Sequence, residues 1–288
     1  MKKMFKHAVV YPLESVAALV LWGVFKVLPV RAASEAGAWL GRAAGMILIG
    51  RNKIALHNMR IAFPEKTQRE RRRILKKMWA HWGRFYAEMP HAASLARRVR
   101  LTGVEHLKQA QATGGFVCSA HLGNWEMYGS LPAAGQFVFN PVYRPANNPV
   151  LNWLMFRRRA GTLIPKGIHG ARLILDTLKK RQFVLMLCDQ KLREGIMVPF
   201  FGKPAKTPAA IATIALKMRV PILMAKCVRT PAGRFEAVIF PLENMPAGKD
   251  DAAVREVMQR INHIYEDWIR ETPEQFLWIH RRYDKSEY

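Results

Sequence analysis

The residue types best suited to chemistry lie in Gly115–Gly129, GFVCSAHLGNWEMYG, where the imidazole of His121 precedes the carboxylate of Glu126 by five positions. A histidine oriented by a carboxylate is a general base that takes the proton from a hydroxyl as it attacks a carbonyl carbon. On one continuous helix, five positions span about 500° of rotation, so the two side chains would not share a face. They meet only if His121 sits on a turn and Glu126 lies in the first turn of a helix starting after Gly123, with Asn124 as its N-cap. Free N–H groups at that helix start would lie beside the pair and suit a developing oxyanion. Taken alone, a His-x-x-x-x-Glu spacing is common by chance, and what surrounds it has to supply the rest of the case.

Several other residues compete for roles or add to the constellation. Cys118 and Ser119 are the nearest nucleophile types, but both fall inside the apolar run Phe116–Ala120, the pattern of a buried strand that ends at His121. Asp189 terminates a second such run, Phe183–Cys188, which puts its carboxylate at the same end of a sheet; it suits orienting His121, pairing with an arginine or contacting substrate. Arg144 follows the strand-like run 136–143 and, if buried, requires an anion or a carboxylate such as Glu126. Pro199–Pro208 reads as an aromatic-lined loop entering a helix, with Thr207 as N-cap and Pro208 at the first helical position. Lys203 and Lys206 beside that helix start would suit a phosphate. His280 is a rival base without a carboxylate placed around it as Glu126 is around His121.

The elements that must carry these residues alternate in type from Val99 onward, an α/β signature. Strands are expected at Gly115–Ala120, 136–143, Phe183–Cys188, Pro221–Val228 and Glu236–Phe240, with helices at 125–133, 149–159, Ala171–Lys180, Pro208–Met218 and Asp251–Glu271. Before them, residues 8–30 are apolar except for Glu14 and Lys26, long enough for a spanning anchor and equally suited to an in-plane interfacial helix. Further helices fit Ala36–Ile49 and Arg51–Phe63. Thr67 and Glu70 form a capping box for a long helix whose arginines and lysines run into Met78, Trp79, Trp82, Phe85 and Met89. That stripe suits either a membrane surface or an ordinary core. No linker divides the remainder, so residues 31–288 read as one catalytic domain behind an N-terminal helix at 1–30.

Lys and Arg outnumber Asp and Glu by 46 to 21, a net charge of +25 that favours polyanionic surroundings. With half of the residues hydrophobic and eight tryptophans, a membrane fits better than nucleic acid, for which no zinc-finger or RNA-binding signature is present. Cys118, Cys188 and Cys227 are far apart in apolar runs and read as reduced core residues, not as a disulfide framework or a metal site.

The segment HLGNWE resembles the His-x4-Asp/Glu motif of glycerolipid-type acyltransferases, in particular the late (secondary) acyltransferases of lipid A biosynthesis. The likeness continues through Val142–Pro145, Asp189-Gln190, Pro199–Gly202 with Ala205 and Thr207, and Pro273–Arg282, in order and over nearly the whole chain. It implies a glycerol-3-phosphate-acyltransferase-like fold, a mixed sheet flanked by helices, anchored in the inner membrane with its catalytic domain on the cytoplasmic side. The implied reaction moves a fatty acyl chain from the phosphopantetheine thioester of an acyl carrier protein to the hydroxyl of a 3-hydroxyacyl chain on a lipid A precursor, without metal or redox cofactor. His121 and Glu126 become the catalytic pair. Asn124, Arg144, Arg158 (the match within the Arg157–Arg159 triplet), Asp189, Lys203 and Lys206 become the substrate-binding candidates. Related acceptors of the same chemistry are a glycerolipid, an aminolipid or a phosphatidylinositol mannoside, and a non-catalytic basic membrane tether is the contrasting class.

Overall fold

The computed structural model describes residues 9–130, 137–156 and 161–288. The described residues begin with four helices: α1 (Tyr11–Val27), α2 (Val30–Ile47), α3 (Ile49–Ala62) and α4 (Gln68–Glu88). The capping box is present: Glu70 N–H donates to Thr67 Oγ1 and Thr67 N–H donates to Glu70 Oε2, satisfying two otherwise orphaned donors. α2 crosses α4 with backbones in contact because Gly37, Gly41 and Gly83 face one another; a Cβ on Gly83 would run into the Gly37 carbonyl. The stripe Met78, Trp79, Trp82 and Phe85 is buried, so α4 is a core helix with a solvated basic first turn. No helix among the described residues is long and apolar enough to cross a membrane. The spanning alternative for residues 8–30 is therefore not supported by α1, a helix of 17 residues.

Beyond α4 come α5 (Ala92–Ala96), β1 (Val99–Thr102), α6 (Val104–Ala110), β2 (Gly115–Ser119), β3 (Phe139–Tyr143), α7 (Pro149–Phe156) and β4 (Ile164–Pro165). They are followed by α8 (Ile168–Lys179), β5 (Phe183–Leu187), β6 (Ile196–Phe200), β7 (Lys203–Thr207), α9 (Ala210–Met218), β8 (Ile222–Arg229), β9 (Phe235–Pro241) and α10 (Asp251–Glu271). The main sheet has seven strands in the order β1-β9-β8-β2-β5-β3-β4. All neighbours run parallel except β8 and β9, so the sheet is mixed as expected. Every residue of β2 is buried, the mark of a central strand covered on both faces. One core face holds α4, α9 and α10 side chains against Phe116 and Cys118; the other gathers Leu107, Val117, Phe139 and Phe183.

Three expectations are corrected. The region 125–133 is a 3₁₀ helix at Trp125–Ser130 as far as it is described, not an α-helix. Pro199–Thr207 is not a loop entering a helix but the antiparallel hairpin β6–β7, turned at Phe201 and Gly202, whose φ values of 49° and 73° both lie in the left-handed region. Phe201 holds that conformation because its N–H donates to Glu266 Oε1 at 2.7 Å and its ring packs on Phe63, Phe200 and Trp278. Thr207 accordingly ends β7 and caps nothing; the N-cap of α9 is Ala209.

Candidate active site

Parallel pairing of β2 with β5 sets Ser119 opposite Leu187, so His121 and Asp189 stand equally far beyond the two strand ends. This is the carboxyl edge, where open α/β sheets commonly expose ligand-contacting groups. There His121 Nδ1 meets Asp189 Oδ1 at 2.8 Å. Asp189 is only 2% exposed, whereas the His121 side chain keeps 21% of its surface open. Burial by itself would raise the Asp189 carboxyl, but the charge and hydrogen bond of His121 outweigh it, and its pKa lies below the ordinary value. A carboxylate accepts from Nδ1–H, which leaves Nε2 as the ring's proton acceptor, the tautomer that a general base requires. The sequence offered Asp189 several roles; its geometry here is that of the group orienting His121.

The turn carrying His121 is held from three sides. Leu277 N–H donates to the His121 carbonyl and Gly123 N–H to the Gln275 carbonyl, each at 3.0 Å, so the segment Gln275–Leu277 clips the turn like a short strand. Asn124 N–H donates to the Cys227 carbonyl of β8 at 2.8 Å. From α4, His81 Nε2 lies 3.1 Å from the Gly123 carbonyl. Burial pushes the His81 imidazole down to about 3, so the ring is neutral and donates its N–H to that carbonyl. Gly123 has φ 63°, and a Cβ there would run into the Cys227 carbonyl. His81 was not distinguishable within the amphipathic pattern of α4, and Gln275 lay in the Pro273–Arg282 likeness without a role of its own; only tertiary contact gives each one.

Aromatic rings wall the imidazole. Trp125 stands edge-on to His121 with centroids 4.9 Å apart, and Phe85 and Trp82 pack on Trp125 at 4.8 and 5.2 Å. Trp82 and Trp125 are thus at the site. Trp79 instead donates to Asn52 Oδ1, and Met127 lies in the core of the opposite sheet face. Glu126, half-buried in the same turn, accepts from Trp125 Nε1 at 3.1 Å. It is thereby tied to the ring that contacts His121. His280 approaches as well, its ring centroid 6.4 Å from that of His121.

The remaining candidates distribute differently from expectation. Asn124 is buried but its side-chain oxygen has no hydrogen-bond partner among the described residues, so it does not cap the following turn. Arg144 lies at the same sheet edge but is exposed, which removes the need for a buried counter-charge. Arg158 and its neighbours in the triplet lie outside the described residues. Lys203 pairs with Glu287 at 3.0 Å, and Lys206 donates to the Arg193 carbonyl; both lie on strand β7 of the hairpin and not at the N-cap of α9, which is Ala209. Arg282 packs against the hairpin: it is buried, stacks on Phe200 and donates to Thr207 Oγ1 at 2.7 Å. Cys118, Cys188 and Cys227 are free and buried.

A family model described as bacterial lipid A biosynthesis acyltransferase matches residues 2–285. The chain is similar to the lipid A biosynthesis lauroyltransferase of Escherichia coli (strain K12), 29% identical over 283 residues that cover 92% of this chain and 89% of the relative. It is 27% identical to the lipid A biosynthesis palmitoleoyltransferase of the same organism over 277 residues, 92% of this chain and 88% of the relative. A lipid A biosynthesis acyltransferase of Haemophilus influenzae is 24% identical over 255 residues, 84% of this chain and 77% of the relative.

Proposed function

Because the chain belongs to the bacterial lipid A biosynthesis acyltransferases, we propose that it transfers a fatty acyl chain from an acyl carrier protein thioester to the hydroxyl of a 3-hydroxyacyl chain on a lipid A precursor. The observation that carries the mechanism is the His121–Asp189 hydrogen bond at the sheet edge. His121 Nε2 takes the proton from the acceptor hydroxyl as its oxygen attacks the thioester carbonyl. The tetrahedral intermediate collapses by breaking the C–S bond, and the departing sulfur receives the proton from the imidazolium. Asp189 stabilises that imidazolium, and Glu126 assists from the same turn through Trp125, adding negative potential beside the ring.

Transfer is direct. Ser119 is buried within the sheet, and Cys118 Sγ is engaged with Tyr265 Oη at 3.0 Å, so neither is presented to a thioester as a nucleophile. The aromatic wall of Trp82, Phe85 and Trp125 favours a hydrocarbon chain next to the imidazole. The net charge of +25 would steer an acidic carrier protein and hold the enzyme on an anionic membrane face.

The inner membrane, with the catalytic domain on its cytoplasmic side, is the location this reaction requires. Attachment in the plane of the bilayer is supported by the apolar side chains that α1 and α2 leave open, among them Leu13, Val16, Val20, Trp39 and Ile47.

The test is a product assay. Purified enzyme, acyl carrier protein thioester and a lipid A precursor are expected to give a product heavier by one acyl chain in mass spectrometry. An acceptor whose 3-hydroxyl is replaced by hydrogen is expected to give none. Absence of the first product, or its persistence on the second acceptor, would overturn the reading.

A further inference from the structure

A groove of about 890 Å³ opens beside the candidate site, sharing His280 with it. Its polar wall is cationic: Arg51 from the first turn of α3, Lys191 and Arg193 from the segment after β5, and Arg281 from the C-terminal segment. Arg51, Arg193 and Arg281 are exposed and have no carboxylate within ion-pair distance among the described residues. Lys191 is partly satisfied, by the Tyr283 carbonyl at 2.9 Å and by the exposed Asp284 at 3.4 Å. Four cations converging on one concavity repel each other, and an anion of more than one charge would relieve that repulsion.

The groove also has an apolar lip. Ile47, Leu48 and Ile49 line it, and Ile47 is 78% exposed. That lip continues along α2 into Met46, Leu40 and Trp39, all exposed. A surface of this kind sinks into the acyl region of a bilayer by about 5–10 Å, which sets the adjoining cations at the depth of lipid phosphates. A soluble acidic protein would match the cations but would leave the apolar lip uncovered. A membrane lipid matches both.

We propose that this groove holds the phosphorylated headgroup of the membrane lipid that accepts the acyl chain, with Arg51 and Arg281 as its principal phosphate contacts. The assignment rests on the acyltransferase function given above and replaces the phosphate role that Lys203 and Lys206 had from sequence. Its geometry brings the headgroup to His280, one ring away from His121, so the acceptor's hydroxyl-bearing chain enters the site from the membrane side.

The experiment uses the full chain with Arg51→Gln and Arg281→Gln combined, and Arg100→Gln on the far edge strand β1 as control. In one arm, binding is measured to phosphatidylcholine vesicles containing either phosphatidic acid or phosphatidylglycerol at matched surface charge. The parent protein is expected to prefer the phosphomonoester, and the double variant to lose that preference by about tenfold while Arg100→Gln retains it. Equal weakening on both vesicles would mean general surface charge only and would overturn the proposal.

In the other arm, acyl transfer is measured with the phosphorylated acceptor and with its dephosphorylated form. The double variant is expected to raise the acceptor KM about tenfold, with kcat and donor KM unchanged, and to show no penalty on the dephosphorylated acceptor. A rise in donor KM instead would assign the groove to the carrier protein, and no change in either KM would remove its role; both outcomes overturn the proposal. Should the parent enzyme transfer nothing to any such acceptor, the functional reading falls separately, and the vesicle preference still decides whether the groove recognises a phosphomonoester.

Discussion

Replacing Asp189 with Asn alters one charge and one hydrogen-bonding preference while keeping the side-chain shape. Unit charges about 4 Å apart interact by about 4 kcal/mol at an effective dielectric of ~20. A half-developed imidazolium in the transition state therefore draws about 2 kcal/mol from Asp189, about thirtyfold in rate. The amide adds a second loss: its NH₂ can donate to His121 Nδ1 and pin the ring proton on Nε2, the wrong tautomer for a base. In serine-protease triads the corresponding error costs about 10⁴ in kcat, which sets the upper end.

Asp189→Asn is thus expected to lower kcat by about thirtyfold to 10⁴-fold with acceptor and donor KM little changed, measured by transfer of labelled acyl chains. The pH dependence of stability supplies an independent check. The folded-state pKa of Asp189 lies below the ordinary carboxylate value, so its stabilisation is complete above that ordinary value and is lost as pH falls through the folded one. Acid denaturation of the parent should contain this loss, and that of Asp189→Asn should lack it. A variant with kcat within threefold of the parent and an unchanged pH–rate profile would refute the orienting role.

Other consequences are equally specific. An unfolded histidine takes up a proton near 6.5 whereas buried His81 resists until about 3, so folding stability drops by about 1.4 kcal/mol per pH unit on acidification through that window. His81→Gln, which keeps an amide donor for the Gly123 carbonyl, should flatten that slope in urea titrations between pH 6.5 and 4; identical slopes would contradict it. Gly123→Ala should cost about 1–3 kcal/mol of stability and more than tenfold in kcat, because the added methyl displaces the turn from the Cys227 carbonyl; thermal unfolding and turnover measure the two effects. Changing Leu13, Val16 and Val20 together to Ser should reduce vesicle partitioning by at least about 10²-fold if α1 lies in the bilayer plane. Unchanged sedimentation with vesicles would remove α1 from the membrane face.

Much of this fold was legible because its signals are local. The apolar runs at β2, β5, β8 and β9 and the cap at Thr67 reappear within a residue or two of their expected bounds. What escaped depends on contacts distant in sequence. β1 is short and half-polar, β4 is only two residues long, and they become strands only by pairing with β9 and β3. The β6–β7 hairpin was hidden because the first of its two left-handed turn residues is Phe201, held there by Glu266 and three aromatic rings, where local chemistry would ask for Asn or Gly.

The site divides in the same way. His121 at a strand end followed from the sequence, and so did Asp189 at the same sheet edge. Their equal distance beyond the paired residues Ser119 and Leu187 required the register, and that register makes Asp189 the partner of Nδ1. Lys203 and Lys206 were misplaced for one reason: the segment carrying them is a strand, so the helix start that would have gathered an anion is elsewhere.

The most direct test is a single-turnover comparison of the parent enzyme with His121→Ala, following an acyl group from carrier protein thioester to the hydroxyl of a lipid A precursor. Base catalysis by His121 predicts that transfer falls by at least about 10²-fold while thermal unfolding and vesicle binding stay at parental values. Transfer by His121→Ala at a rate close to the parent's would contradict it.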